Sequence, residues 1–236
     1  MKTVNEVMSA LKKVGSEQSR KIYARHGAPE NMFGCKVADM KTIAKKIKGN
    51  QDLALELYAT GNADAMYLAG IVADGTQMKK AELNRWAREA NWYMVSEYAV
   101  AGVAAEHPDA IAIANKWIAA KKEHVAAAGW NTYTNVVMTR DDSDLDKKAI
   151  KSHLKMIEGS IDKAKNRVRY TMNGFVIAVG GYVSPLTTVA KATAKKIGKV
   201  HVEMGETSCK VPLATEYIEK IESMGRVGKK KTSTKC

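Results

Sequence analysis

The three cysteines of this 236-residue chain, Cys35, Cys209 and Cys236, are odd in number and too scattered for a disulfide framework. The N-terminus is equally uninformative as a targeting signal, because Met1 to Lys13 is amphipathic and not uniformly apolar. A reducing, cytoplasmic setting is the expectation. No apolar run approaches a membrane span; the longest, Phe175 to Val183, is far too short. The chain has no GxxxxGKS/T, GxGxxG or GxSxG motif, which excludes the common phosphate loops and the nucleophile elbow. His26, His107, His124, His153 and His201 are isolated, with no partner at metal-ligand spacing. Neither a metal nor a cofactor is expected, and no membrane partner or oligomer is implied.

Positive charge is abundant. Lys plus Arg number 38 against 25 Asp plus Glu, a net charge of +13. Such a surplus concentrates counter-ions around a polyanion and makes nucleic acid the first partner to consider. Arg226, Lys229, Lys230, Lys231 and Lys235 belong to a C-terminal stretch, 226–236, that reads as a disordered basic tail, and the body remains basic without them.

Almost every other segment has a helical period. Val4, Val7, Met8, Leu11 and Val14 form one stripe, and further helices are expected over Gln18 to Arg25, Ala38 to Ile47, Asp52 to Ala59 and Ala63 to Ala73. Asn50 and Asn62 supply N-caps, while Gly61 and Gly75 follow the helix ends. Helices over Lys79 to Ala90, Trp92 to Ala105, Pro108 to Ala120, Glu123 to Thr139, Leu145 to Ile157, Ile161 to Tyr182 and Leu186 to Ile197 complete the body, with a last one from Thr215 to Met224. Between them, Val200 and Val202 alternate with polar residues and predict an extended connector or small hairpin. The fold expected is all-α: HEAT-like antiparallel helical repeats in a curved solenoid, as one domain over residues 1–225.

Two stretches carry possible chemistry. Trp92 and Ser96 are four residues apart, an advance of about 400° on an α-helix, so an indole and a small polar group share one face. Glu97, about 140° from Trp92 on such a helix, is poorly aimed at that spot. Trp86, at helical spacing, reads as core. The second stretch runs from Asn166 to Phe175. Arg167, Arg169 and Asn173 there could take phosphates, or the arginines could pair with acids while Gly174 permits close helix packing. Cys209, although beside Lys210, is not assigned as a nucleophile.

Phe33-Gly34-Cys35-Lys36-Val37, Asn91 to Ser96, Lys116-Trp117-Ile118-Ala119 and Asn166 to Tyr182 together resemble the AlkD-like DNA alkylation repair family, alkylpurine DNA glycosylases built from HEAT-like repeats. The resemblance covers Val14 to Ile221. It implies a concave basic face gripping duplex DNA, alkylated or intact, with aromatic rings at the sugar and an aspartate stabilising the cationic transition state. Trp92 matches the tryptophan of the family's W-x-x-x-D motif, Phe175 stands where a second tryptophan is found, and Lys41 stands where a backbone-contacting cation is expected. Lys36, Arg167, Arg169 and Asn173 join them as candidate DNA contacts. Two positions depart from the pattern: Ser96 replaces the aspartate, and Ala127 falls where an arginine is expected. A neutral hydroxyl supplies no Coulombic stabilisation, and losing one preorganised group costs about two to three orders of magnitude in rate. The chain therefore reads as a DNA-binding protein of the repair class with weak, altered or absent glycosylase activity. Two alternatives stand beside it: an active glycosylase in which Glu97 or a water oriented by Ser96 fills the vacancy, and a helical-repeat module that binds protein.

Overall fold

A computed structural model describes residues 1–235, which carry helices and no strand. Cys236 lies outside the described residues. The architecture is all-α and HEAT-like. Thirteen α-helices follow in order: α1 (Val4–Val14), α2 (Glu17–Arg25), α3 (Val37–Lys46), α4 (Gln51–Ala59), α5 (Ala63–Val72), α6 (Lys80–Glu89), α7 (Ala101–Glu106), α8 (Ala110–Ile118), α9 (Glu123–Thr139), α10 (Lys147–Ser160), α11 (Asn166–Tyr182), α12 (Thr187–Ile197) and α13 (Ala214–Ser223). A π-helix, Met94–Val100, leads directly into α7. The chain divides into two compact units: Met1–Ile113 with Met204–Ser208 and Lys235, and Ala114–Glu203 with Cys209–Thr234.

In the first unit, α5 is the central helix. Every residue from Ala63 to Gly70 is buried, and α3, α4 and the π-helix pack around it. A helix that is apolar on all sides has this position as its stable solution. Its start is fixed by Asn62, whose side chain accepts from Ala65 N at 3.2 Å, as Asn50 accepts from Leu53 N at 3.1 Å to start α4. Gly70 is required by proximity, since a Cβ there would lie 2.7 Å from Ala99 Cα on the π-helix. Trp86 is core as expected, stacked on Tyr58 with centroids 4.0 Å apart, and Tyr58 donates to the Trp86 carbonyl at 2.6 Å.

Asp64, in the first turn of α5, is buried and holds the loop before α3. Its Oδ2 accepts from the N–H groups of Phe33 (2.6 Å) and Gly34 (2.9 Å), and its Oδ1 accepts from Cys35 N at 3.1 Å. Successive backbone donors converge in this way because Gly34 adopts φ +78°.

The second unit is built on α11, which packs against α9, α12 and α13. Trp130, Tyr133, His153 and Phe175 meet edge to face at its centre, with Phe175 5.4 Å from Trp130 and 5.3 Å from Tyr133. Gly129 lets α9 approach the end of α8, where a Cβ would lie 2.6 Å from Ile118 N. Gly174 has no such role, because nothing lies within 4 Å of a Cβ built there.

Of the two alternatives for the stretch after Gly198 the connector holds and the hairpin does not: residues 199–212 are irregular, with no strand. The connector is tied to α11 by Asn166, which donates Nδ2 to Glu203 O at 2.8 Å and accepts from Glu203 N at 2.7 Å, and by Asn173, which donates to Pro212 O at 2.8 Å. The C-terminal stretch, expected to be disordered, is anchored. Gly228 N donates to Gly181 O, Lys231 N donates to Met138 O at 2.8 Å, and Lys230 pairs with Asp142 at 2.8 Å. In the first unit, Lys235 Nζ donates to Ala73 O and pairs with Glu106 at 2.6 Å.

Replacing Asp64 by Ala leaves three converging donors without an acceptor, so Asp64→Ala is expected to lose about 3 kcal/mol or more in urea unfolding. In the second unit, Gly129→Ala is expected to lower the melting temperature measurably, because the intruding methyl meets backbone and not a flexible side chain.

Candidate functional site

Trp92 lies just ahead of the π-helix, half-buried and fixed by two kinds of contact. Its Nε1 donates to the carbonyl of His26, the C-cap of α2, at 2.9 Å. Its ring meets Tyr23 and Tyr93, each with centroids 5.5 Å away, tilted by 47° and 67°. These rings wall a cavity of about 130 Å³. Buried Cys35, Met40, Ala63, Asp64 and Tyr67 form its floor, and Ile22, His26, Val37 and Met94 lie nearer its rim.

Burial governs the electrostatics of the floor. It pushes the Cys35 thiol up to about 12, helped by the nearby Asp64 charge. Burial likewise raises the Asp64 carboxyl above its ordinary value, against the lowering pull of the Phe33, Cys35 and Gly34 N–H groups. Tyr23 is raised by the same cause. The polar tips are mostly turned into the protein: the Tyr23 hydroxyl donates to Cys35 O at 3.2 Å, and the Cys35 thiol donates to Leu11 O at 3.2 Å. The cavity consequently offers ring faces and thioethers, with an already occupied carboxylate at its base.

Ser96 does not share this cavity. Its side chain is buried, with Oγ at 3.4 Å from the Tyr93 carbonyl, and Glu97 beside it is buried as well. The α-helical step from Trp92 to Ser96 is kept, with Ser96 N donating to the Trp92 carbonyl at 2.9 Å, and it is burial that keeps Ser96 and Glu97 from the cavity. Phe175, expected at the sugar, is enclosed by Trp130, Tyr133 and His153, and a ring with no exposed surface makes no contact with a ligand. Asn173, expected on DNA, is also buried and spends its amide on the connector. Trp117 and Ala127 are interior residues too.

The basic candidates fall in both units. Lys36 and Lys41 are exposed at the start and middle of α3. Lys41, Lys45 and Lys48 line an open groove of about 740 Å³ with Ile71, Thr76 and Lys235. In the second unit Arg167 places its guanidinium over the Tyr170 ring at 4.4 Å, while its backbone N–H donates to Glu123 at 2.6 Å. Arg169 is half-buried and its Nε has no hydrogen-bond partner among the described residues. Cys209 is exposed. Among the described residues no His, Cys, Asp and Glu side chains gather into a metal-binding group, and no single helix is long and apolar enough to cross a membrane.

Tyr23, His26, Asp64, Tyr67 and Met94 were not singled out in the sequence as site residues. Asp64 falls at the start of the helix expected over Ala63 to Ala73, and Tyr23 within the one expected over Gln18 to Arg25. Only the tertiary meeting of α2, α5 and the Trp92 segment joins them.

Residues 7–202 match the family described as DNA alkylation repair enzyme. An uncharacterized protein of Listeria innocua serovar 6a is 30% identical over 226 residues, 93% of this chain and 97% of its own. A second, from Listeria monocytogenes serovar 1/2a, is 29% identical with the same coverage. A solved structure superposes with a TM-score of 0.91 at 39% identity, covering 99% of this chain and 100% of that one. It represents a new family of proteins related to the HEAT-like repeat DNA glycosylases with affinity for branched DNA structures.

A thiol held this high carries almost no thiolate at pH 8. Iodoacetamide labelling of the native protein, mapped by peptide mass spectrometry, is expected to modify Cys209 and spare Cys35 until the chain is unfolded.

Proposed function

Because the chain belongs to the DNA alkylation repair enzyme family, we propose that it is a DNA-binding protein of that class, with alkylpurine glycosylase activity that is weak, altered or absent. The observation that carries this reading is the environment of Trp92. By the resemblance Ser96 stands at the aspartate position of the family motif; its side chain is buried, and so is that of Glu97. No free carboxylate beside the indole is available to stabilise positive charge as a glycosidic bond breaks, and such stabilisation is the largest single term in catalysis of this kind.

Binding, by contrast, has its means. Lys36, Lys41, Lys45 and Lys48 are exposed, and the ion pairs of the first unit engage other cations, namely Arg20, Lys80, Arg85 and Lys235. Unpaired lysines on one short helix and its exit suit the regularly spaced phosphates of DNA. Arg167 and Arg169 are candidates for a further contact. The affinity for branched DNA of the family represented by the 39% identical structure makes junctions, more than plain duplex, the preferred substrate in this reading.

A second reading, excision with another acid in place of the missing aspartate, draws on Asp64, a carboxylate that lines the same cavity as Trp92. Its two oxygens already accept three N–H groups, which disperses the charge it could offer.

Release of 7-methylguanine from alkylated duplex separates the readings: slow release at most is expected, none above the buffer control even with excess protein excludes the second, and multiple-turnover release by the native protein would establish it. Junction affinity is expected to fall roughly a hundredfold between about 50 and 200 mM salt if about four phosphates are neutralised. Lys41→Glu with Lys45→Glu should flatten the salt dependence by about two contacts.

A further inference from the structure

The cavity beside Trp92 is small and aromatic, and contact with the phosphate backbone alone gives it no task. We propose that it is a receptor for a single unpaired nucleobase presented at a DNA branch point. This rests on the proposed DNA-binding function and names what that binding recognises beyond the phosphate backbone.

Volume is the first argument. About 130 Å³ is well below the roughly 300–1,000 Å³ of a site for a drug-sized ligand or cofactor, and suits one flat heterocycle. The walls come second. Tyr23, Trp92 and Tyr93 supply ring faces and edges, Met40 and Met94 supply polarisable thioethers, and Asp64 at the floor keeps the space electron-rich. An electron-poor heterocycle gains more there than an aliphatic side chain does.

The third argument is charge on the elements that carry the lining. Lys21 precedes Ile22, Arg25 precedes His26 and Lys36 precedes Val37, and each of these cations is exposed. None of them forms an ion pair among the described residues. An aromatic recess on segments that also bear exposed cations suits single-stranded nucleic acid, with phosphates outside and a base stacked within. A fully paired duplex keeps its bases stacked and cannot fill the recess without disruption. A branch point or bulge already exposes one.

The hydrogen bonds predict tolerance of base identity. Trp92 Nε1 is spent on His26 O, the Tyr23 hydroxyl on Cys35 O, and the Asp64 oxygens on three backbone donors. Few polar atoms remain to read a Watson–Crick edge. The cavity thus reads the presence of a base and not its sequence.

The test uses the full chain and two three-way DNA junctions that differ at one unpaired position, 2-aminopurine in one and an abasic analogue in the other. Anisotropy is expected to show about tenfold tighter binding to the junction that carries the base, within what stacking on aromatic side chains supplies. The 2-aminopurine emission should fall on binding, and exchanging the unpaired base among the four natural ones should leave the preference largely intact. In Ala63→Leu, which fills the floor, the ratio between the two junctions should collapse toward one; thermal unfolding checks that the variant is folded. Equal affinity for both junctions with unchanged emission would overturn the receptor and leave DNA binding standing. Failure to bind either junction would overturn both. A tenfold preference that survives in folded Ala63→Leu would place the base elsewhere and overturn the assignment of this cavity.

Discussion

The contact on which the first unit depends is a single carboxylate meeting three consecutive backbone N–H groups. The loop at Phe33–Cys35 has no ladder or helix of its own to satisfy its donors, and buried donors must find acceptors somewhere. Asp64 supplies them from the start of the central helix, where the positive end of α5 also favours its charge. The direction in which α3 departs, the exposure of Lys36 and the placement of Cys35 under the aromatic wall all follow. The second unit solves the same problem with amides in place of a carboxylate: Asn166 and Asn173 hold an irregular connector against α11. In both units a polar side chain on a helix secures backbone that has no regular structure, and a stretch that carries the family resemblance takes part, as the secured loop in the first and the securing helix in the second.

That division of labour explains what was legible in the amino-acid order. Helix periodicity, the capping asparagines at 50 and 62, and the interior position of Trp86 follow from local rules, and the structure has them where those rules put them. Roles created by tertiary meeting were illegible. Phe175 follows a basic polar run and matches an aromatic position of the family, but the neighbours that enclose it come from α9 and α10. Asn173 looks like a surface donor until the connector arrives 39 residues later. The C-terminal lysines resemble a solvated tail because composition alone cannot reveal acceptors such as Met138 O and Asp142.

The functional reading turns on the same distinction. The side chains around Trp92 keep their rings toward open space and their polar tips toward the protein, an arrangement that favours adhesion over chemistry. Nothing there is poised to develop charge, since the thiol at 35 is pushed up by burial and the carboxylate at 64 is fully engaged. Recognition through faces and phosphates is robust to sequence, which suits the proposed reading of DNA by its shape more than by its order.

The widened turn from Met94 to Val100 bears on how this chain is compared with its relatives. A π-helical segment accommodates one additional residue within an otherwise continuous helix. The position-for-position count therefore slips only where the turn widens. Ser96 still donates its N–H to the Trp92 carbonyl at 2.9 Å, as on an α-helix, and the wider step follows, where Ala101 N–H reaches the Ser96 carbonyl. The spacing from the indole to Ser96 is thus the ordinary one, and only residues after it are displaced around the helix relative to an unwidened turn.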